Sequence, residues 1–367
     1  MVRTGLRVTC IAGARPNFIK VAPLMASWLR RPHWTPQLVH TGQHFSPEMS
    51  DQFFRDLEIR EPDVNLGAGG GTPTRQTAEI LLGLEPVLAD FRPDVLVVVG
   101  DVTSTVAAAL AAARLGIPVA HVEAGLRSGD RTMPEEINRL VTDTLSDFLF
   151  TSEPAGERNL RAEGADPSKI FFVGNVMIDT LMRFRSRAAA SNVLERLGLA
   201  TRGYAVATLH RPGNVDDPDK LSGLLGMLRA VADRIPVVFA VHPRTGKRIT
   251  DNGLETTGLR LCPPLGYLDF LRLMSEARLV LTDSGGIQEE TTILQVPCIT
   301  MRDNTERPVT IEQGTNRLAG TDPARILQAA LGALDESPAA VTRVPPLWDG
   351  RASERIADIL EERLRAR

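Results

Sequence analysis

Short β-branched runs alternate with stretches of helically spaced apolar residues through the first half of this 367-residue chain. The alternation predicts strands at Leu6–Gly13, Gln37–Thr41, Val95–Val99 and Val119–Glu123. Helices are predicted over Phe18–Leu29, Gln76–Asp90 and Ser104–Leu115. Strands separated by helices of that length imply βαβ crossovers and a parallel sheet. Near Met177–Arg187 the rhythm breaks into an arginine-rich helix with no clear strand behind it. It restarts with strands at Tyr204–Thr208, Pro236–His242, Leu279–Thr282 and Cys298–Met301, and helices through Leu221–Ala232, Leu268–Ala277 and Gln288–Leu294. Ile356, Ile359, Leu360 and Leu364 make a last helical stripe that needs a partner in one half or the other. The expected class is α/β, with two doubly wound Rossmann-like domains facing each other across a cleft. Residues 1–180 form the N-terminal domain, to which the helix of 351–367 is assigned, and 181–350 form the C-terminal domain.

Composition narrows the function. A net charge of -3 and a pI near 6.1 argue against a general nucleic-acid or membrane-surface binder. Cys10, Cys262 and Cys298 have neither metal-ligand nor disulfide spacing and lie in or beside apolar runs, so buried inert thiols are expected. A strand begins within six residues of the start, which leaves no room for a signal peptide. No apolar run approaches the roughly 18 residues needed to span a bilayer. The expectation is a cytoplasmic, reduced protein.

The most informative stretch runs from Val97 to Glu136. The apolar runs Val95–Val99 and Ile117–His121 each finish on a polar group and turn, presenting Asp101 and Glu123. Glu135 and Glu136 open the next helix. Ligands of parallel α/β sheets bind beyond the carboxyl ends of the strands. Several carboxylates converging there are costly unless they meet a substrate. Further on, Asp283-Ser284-Gly285-Gly286 follows a strand and opens a helix, with Glu290 about one turn in. Ser284 can cap that helix, and the glycines clear the way for an anion such as a diphosphate to reach its amides; the bland alternative is a tight turn with a cap. At the first strand-to-helix turn, Arg15 and Lys20 flank Pro16 and pair with phosphate or with the carboxylates, unless they are solvated surface charges. Arg307, in Asn304-Thr305-Glu306-Arg307-Pro308, is placed to complete a phosphate clamp. His44, His121, His210 and His242 end predicted strands and suit acid–base work, a structural hydrogen-bonding role being the alternative for each and the equal one for His121. None is spaced i, i+4 as in familiar zinc enzymes, so no metal is expected. With no Gly-x-Gly-x-x-Gly at a strand-to-helix turn and no Walker loop, nicotinamide and ATP enzymes are disfavoured.

These residues carry a resemblance. GARPNFIKVAPL, HTGQHFSPEMSDQFF, VVVGDVTST, HVEAGLRSGDRTMPEEINR, VGNVMIDTL, TLHRPGNVDD, the HPR at His242, LTDSGGIQEE and MRDNTERP occur in order over residues 5–365. In them the chain resembles the non-hydrolysing UDP-N-acetylglucosamine 2-epimerases. The resemblance implies a glycosyltransferase-B-like fold, a homodimer, and interconversion of UDP-GlcNAc and UDP-ManNAc in the biosynthesis of a cell-surface polysaccharide. It places the essential acids on Asp101, Glu123 and Glu135, with Arg139 beside them and His210 across the cleft. It places nucleotide contacts on Arg15, Lys20, Leu265, Phe270, Ser284, Gly285, Gly286, Glu290 and Arg307; at Leu265 only packing or backbone contact with uracil is open. Some members are activated by a second UDP-GlcNAc, and Gln43, His44, Arg75 and Glu136 match that regulatory site.

The chemistry fits. No carbonyl activates the C2 proton of a glycosyl nucleotide, so inversion needs either transient oxidation by NAD or elimination of UDP to a 2-acetamidoglucal. A diphosphate cradle and a carboxylate cluster without a dinucleotide fingerprint favour elimination and re-addition, with no cofactor. Competing readings are an epimerase of a UDP-diacetamido uronic acid (Arg131 or Arg211 facing the extra carboxylate), a hydrolysing epimerase, a glycosyltransferase and a non-catalytic sensor.

Overall fold

Strands covered by helices on both faces must be apolar along their whole length, and Val95–Val99 is buried at every position. It is the centre of the first of two sheets in the computed structural model, which describes residues 5–43, 54–336 and 343–366. The seven strands are β1 (Leu6–Ala12), β2 (Trp34–His40), β3 (Val64–Asn65), β4 (Val95–Val99), β5 (Val119–Val122), β6 (Phe148–Thr151) and β7 (Ile170–Phe172). They lie in the order β3-β2-β1-β4-β5-β6-β7, every pair parallel. A second, six-stranded sheet consists of β8 (Ala205–Thr208), β9 (Val237–Ala240), β10 (Arg260–Cys262), β11 (Leu279–Thr282), β12 (Cys298–Thr300) and β13 (Asn316–Leu318). Its order is β10-β9-β8-β11-β12-β13, again all parallel. Strand order reverses between β1 and β4, and between β8 and β11. Doubly wound sheets bind ligands at such switch points.

Contacts divide the chain into two units, Met1–Arg183 with Pro346–Arg367, and Phe184–Pro345. Each has its own core. In the first, Leu96 and Val98 pack with Ile80, Leu84 and the alanine-rich helix Thr103–Arg114; in the second, Leu279, Leu281 and Phe239 pack with Leu224, Leu228 and Ile326. The pattern of the sequence overlooks β3, β6, β7, β10 and β13. β3 has two residues, and β10 and β13 are edge strands whose Arg260, Leu261 and Arg317 are exposed, so no continuous apolar run marks them. β6 is a four-residue apolar run, too short for periodicity to separate strand from helix. The three cysteines are buried thiols, and burial pushes all three upward in pKa. Among the described residues no helix is long and apolar enough to cross a membrane.

The C-terminal helix Ala352–Arg365 belongs to the first unit, buried through Ile356 and Leu360. Its N-terminal amides have no cap of their own: the buried Asp179 carboxylate, from helix Val176–Ala189, accepts from Ala352 N at 3.0 Å and Ser353 N at 2.7 Å. Nearby, Trp348 Nε1 donates to Ser152 O at 2.8 Å. A cap of this kind contributes about 2 kcal/mol. Asp179→Ala is therefore expected to lower the urea midpoint of the first unit and to make this helix the first site of proteolytic cleavage; unchanged cleavage would show that packing alone holds it.

Candidate functional site

In the first unit the chemistry lies just past β4 and β5. Glu123 adopts a left-handed φ of 76°, rare for a residue with a Cβ. Its amide and that of Ala124 both donate to Phe150 O at 3.0 Å, so the sheet imposes the turn. Strain of this sort costs of order 1–3 kcal/mol and gathers at functional sites. The buried Glu123 carboxylate is ion-paired with the buried Lys20 Nζ, from helix Arg15–Leu29. Asn17, in the first turn of that helix, accepts from Gly13 N and Ala14 N and donates to Val99 O, tying the first βα turn to the end of β4. Arg15 opens the helix, and its side chain lies outside what the structure describes.

Arg139 joins the other acids. It reaches Asp101 Oδ2 at 2.7 Å and Glu136 Oε2 at 2.9 Å, while Asn138 Nδ2 donates to Asp101 O at 2.8 Å. Asp101 keeps a quarter of its side chain exposed. Glu136 is buried and accepts from the amides of Ser128 and Gly129 at 3.0 Å each. Glu135, also in the first turn of helix Pro134–Leu145, is exposed and pairs with no described residue. The acids thus do not converge as a bare group, as the sequence pattern suggested. Asp101, Glu123 and Glu136 are interleaved with Lys20 and Arg139, because a buried carboxylate without a cation costs several kcal/mol.

Of the residues matched to a regulatory site, His44 lies outside the described residues. Gln43 Oε1 accepts from Ser104 N and Oγ, and Gln43 lines a depression of about 680 Å³ with Asn65, Gly67, Gly69 and Gly70. Arg75 is exposed and paired with Glu79 one turn on. Glu136 is built into the Arg139 cluster instead.

In the second unit the centre is Asp283, a residue not singled out from the sequence. Wholly buried after β11, it accepts from the amides of His210 (3.0 Å) and Arg211 (2.9 Å) and from Asn214 Nδ2 (3.2 Å). Its Oδ1 lies 2.7 Å from His210 Nδ1. Burial pushes the Asp283 acid up, but His210 and the two amides outweigh it and hold the group below the usual range. His210 is oriented through Nδ1 and remains 40 % exposed, so Nε2 is the nitrogen left to act. His242 is exposed and caps its own helix, Nδ1 accepting from Arg244 N, with its ring 6.0 Å from that of His210. His121 departs from expectation. It sits inside β5 rather than at its end, fully buried and hydrogen-bonded through both nitrogens.

Gly285 and Gly286 open helix Gly285–Leu294. Ser284 occupies the N-cap position but makes no capping bond through its side chain, contrary to the sequence reading; its amide instead donates to Thr282 Oγ1. The first-turn amides carry no side-chain acceptor from the cap. A Cβ at Gly285 would lie 2.5 Å from Arg307 Nη1, so only glycine lets the guanidinium come up beneath the turn. Arg307 is buried, with Nε 2.9 Å from Glu289 Oε1 and Nη1 3.3 Å from Glu306 Oε2. Arg302 makes two 2.8 Å bonds to Glu306, and Arg211 lies 3.5 Å from it. Burial raises the Glu306 acid, but Arg302 and the neighbouring guanidinium charges hold it far below the usual range. Three guanidinium groups, those of Arg211, Arg302 and Arg307, gather with Glu289 and Glu306 beside the helix N-terminus, a setting for an anion. Glu290 is different: buried beside Glu289, it accepts a hydrogen bond from Tyr267 Oη at 3.0 Å, and burial pushes it up to about 7. Half-buried Leu265 and Phe270 flank the start of the same helix as Tyr267.

Residues 27–361 match the family model described as UDP-N-acetylglucosamine 2-epimerase. A UDP-N-acetylglucosamine 2-epimerase of Methanocaldococcus jannaschii is 40% identical over 97% of this chain and 99% of its own length. A Pseudomonas aeruginosa UDP-2,3-diacetamido-2,3-dideoxy-D-glucuronate 2-epimerase is 39% identical over the same shares. The crystal structure of the Methanocaldococcus jannaschii enzyme in complex with UDP-GlcNAc and UDP superposes with a TM-score of 0.91 at 39% identity, covering 97% of this chain and all of that one.

Asp283→Ala leaves three buried donors without their acceptor, at a cost of about 3 kcal/mol. Because the folded acid lies below its ordinary value, this stabilisation is complete above the ordinary aspartate range and disappears as pH falls through the folded value. The difference between wild type and Asp283→Ala in urea unfolding should be full at pH 7 and narrow below about pH 4; a difference that does not vary with pH would assign the loss to packing.

Proposed function

The chain belongs to the UDP-N-acetylglucosamine 2-epimerase family, whose members are isomerases, and we propose that it interconverts UDP-GlcNAc and UDP-ManNAc without hydrolysis. The observation that carries this reading is the Gly285 turn: open helix amides over a buried guanidinium cluster suit a pyrophosphate better than a neutral ligand. Anti elimination removes the C2 proton to a carboxylate while the C1–O bond breaks and UDP leaves, giving the 2-acetamidoglucal. Re-addition of UDP with protonation from the opposite face gives the epimer. Asp101, Glu123 and Glu135 share the proton work on the two faces, with Arg139 and Lys20 setting their charge. His210, held through Nδ1 by Asp283, presents Nε2 to the glycosidic oxygen or the departing phosphate. Arg15, Arg307 and the amides of Ser284–Gly286 hold the diphosphate, stabilising the charge that develops on it. Glu290 receives the ribose hydroxyls, and Leu265 and Phe270 pack on the base. The mechanism asks for neither NAD nor a metal. A cytoplasmic homodimer, with a second UDP-GlcNAc regulating through Gln43, His44, Arg75 and Glu136, completes the reading.

Incubation with UDP-GlcNAc in heavy water tests it: deuterium at C2 of both UDP-sugars is expected, whereas release of free sugar would mean hydrolysis and no exchange would remove both. Asp101→Asn and Glu123→Gln should lower the exchange rate about 10²–10⁴-fold, with wild-type rates refuting a chemical role. The similarity to the Pseudomonas aeruginosa enzyme favours a second reading, a UDP-diacetamido uronic acid substrate. Arg211, a candidate for the extra carboxylate, is already engaged by Glu306 and by Asp283 O; preferential turnover of the uronic acid would establish it nonetheless.

Glu290 gives an independent check. Hydroxyls that donate to its carboxylate bind the ionised form, so nucleotide binding releases a proton. UDP-GlcNAc affinity should rise about tenfold from pH 6 to pH 8 through this group. Calorimetry of Glu290→Gln should lack that rise; an unchanged pH dependence would remove Glu290 from the site.

A further inference from the structure

Past β4 and β5, two turns carry Asp101 and Glu123, and one buried carboxylate reaches the second directly and the first through a histidine. Asp143, on helix Pro134–Leu145, accepts from Gly125 N through Oδ2 at 3.1 Å, two residues beyond Glu123. Its Oδ1 lies 2.6 Å from His121 Nδ1, and His121 Nε2 lies 2.8 Å from Gly100 O, the peptide oxygen immediately before Asp101. We propose that His121 and Asp143 form a positioning pair that sets the turns bearing Asp101 and Glu123, with His121 donating from both ring nitrogens.

The hydrogen bonds leave the ring no other arrangement. Gly100 O is a carbonyl and only accepts. Asp143 is ionised, because Arg127 Nη2 stands 2.7 Å from its Oδ2 and the Gly125 amide donates to the same oxygen. Facing an acceptor on each side, the ring supplies two protons. His121 is fully buried and Asp143 nearly so, so neither touches substrate and both act through the backbone. The two turns cannot relax independently. Gly125 has a φ of 79°, and a Cβ there would meet Gly156 O at 2.3 Å, so this backbone is already seated against its neighbour. Helix Pro134–Leu145 also carries Arg139 and Glu136, so one rigid element fixes the turns and supplies the cation between the acids.

The catalytic consequence rests on the reading that Asp101 and Glu123 move the C2 proton; the hydrogen-bonding pattern does not. In protein labelled with ¹⁵N-histidine at pH 7, one of the six histidines should show two slowly exchanging ring N–H protons, both absent in His121→Phe. A single ring proton on His121 overturns the pair. Asp143→Asn and His121→Gln should lower kcat for C2 deuterium exchange about 10²-fold, the usual cost of reacting groups displaced by about 1 Å. KM for UDP-GlcNAc and affinity for UDP should stay close to wild type. A folded Asp143→Asn or His121→Gln protein with near wild-type kcat overturns the positioning role, as does an equal loss in UDP affinity, which marks a merely structural residue. If the wild type exchanges no C2 proton, the proposed function fails while the ring protons still decide the pair.

Discussion

A parallel strand roofed by helices on both faces has no place for a charged side chain except at its ends, unless a counter-charge is buried with it as Asp143 is with His121. Everything chemical in this protein follows from that constraint. β4 is apolar throughout, and the polar residues begin at once beyond it with Asp101. In the same way β5 gives way to Glu123, β8 to His210 and β11 to Asp283. The strand ends concentrate acids, histidines and helix amides into small volumes, and burial there demands that each charge be answered nearby.

The two units answer it differently. In the first, single cations stand between acids: Lys20 against Glu123, Arg139 between Asp101 and Glu136. Such acids differ in exposure, which suits groups that take and return protons. In the second, several guanidinium groups crowd around Glu306 and Glu289 beside a helix terminus. That arrangement holds a fixed anion rather than moving a proton. Glu290 falls outside both schemes: burial dominates its environment, and a tyrosine hydroxyl stands where a cation would be expected.

Much of the fold was legible because buried strands and their crossover helices have distinct periods. Val95–Val99 and Leu279–Thr282 match their runs residue for residue. Edge strands such as Arg260–Cys262 were illegible because solvent covers part of them and their residues need not be apolar. Within the site, the glycine turn and the acids at strand ends were legible, since local spacing determines them. The residues that organise them were not. Asp283 looked like part of a turn, Asp143 carried no local signal, and His121 stood balanced between a ligand-facing and a structural histidine. Their roles depend on partners that are distant in sequence and meet only in the folded chain, and no local period records that. The capping role given to Ser284 failed for a related reason: a cap depends on where one hydroxyl points, which spacing does not fix.

The chain passes out of the first unit in the middle of helix Val176–Ala189 and re-enters it only at Pro346. The second unit is thus an insertion between two parts of the first, and the last segment of sequence completes an element pattern begun by the earliest one. Synthesis must pass through helix Ala352–Arg365 before the first unit has all the helices described for it. A premature stop between Asp335 and Pro346 would leave the older half, not the younger, exposed to solvent.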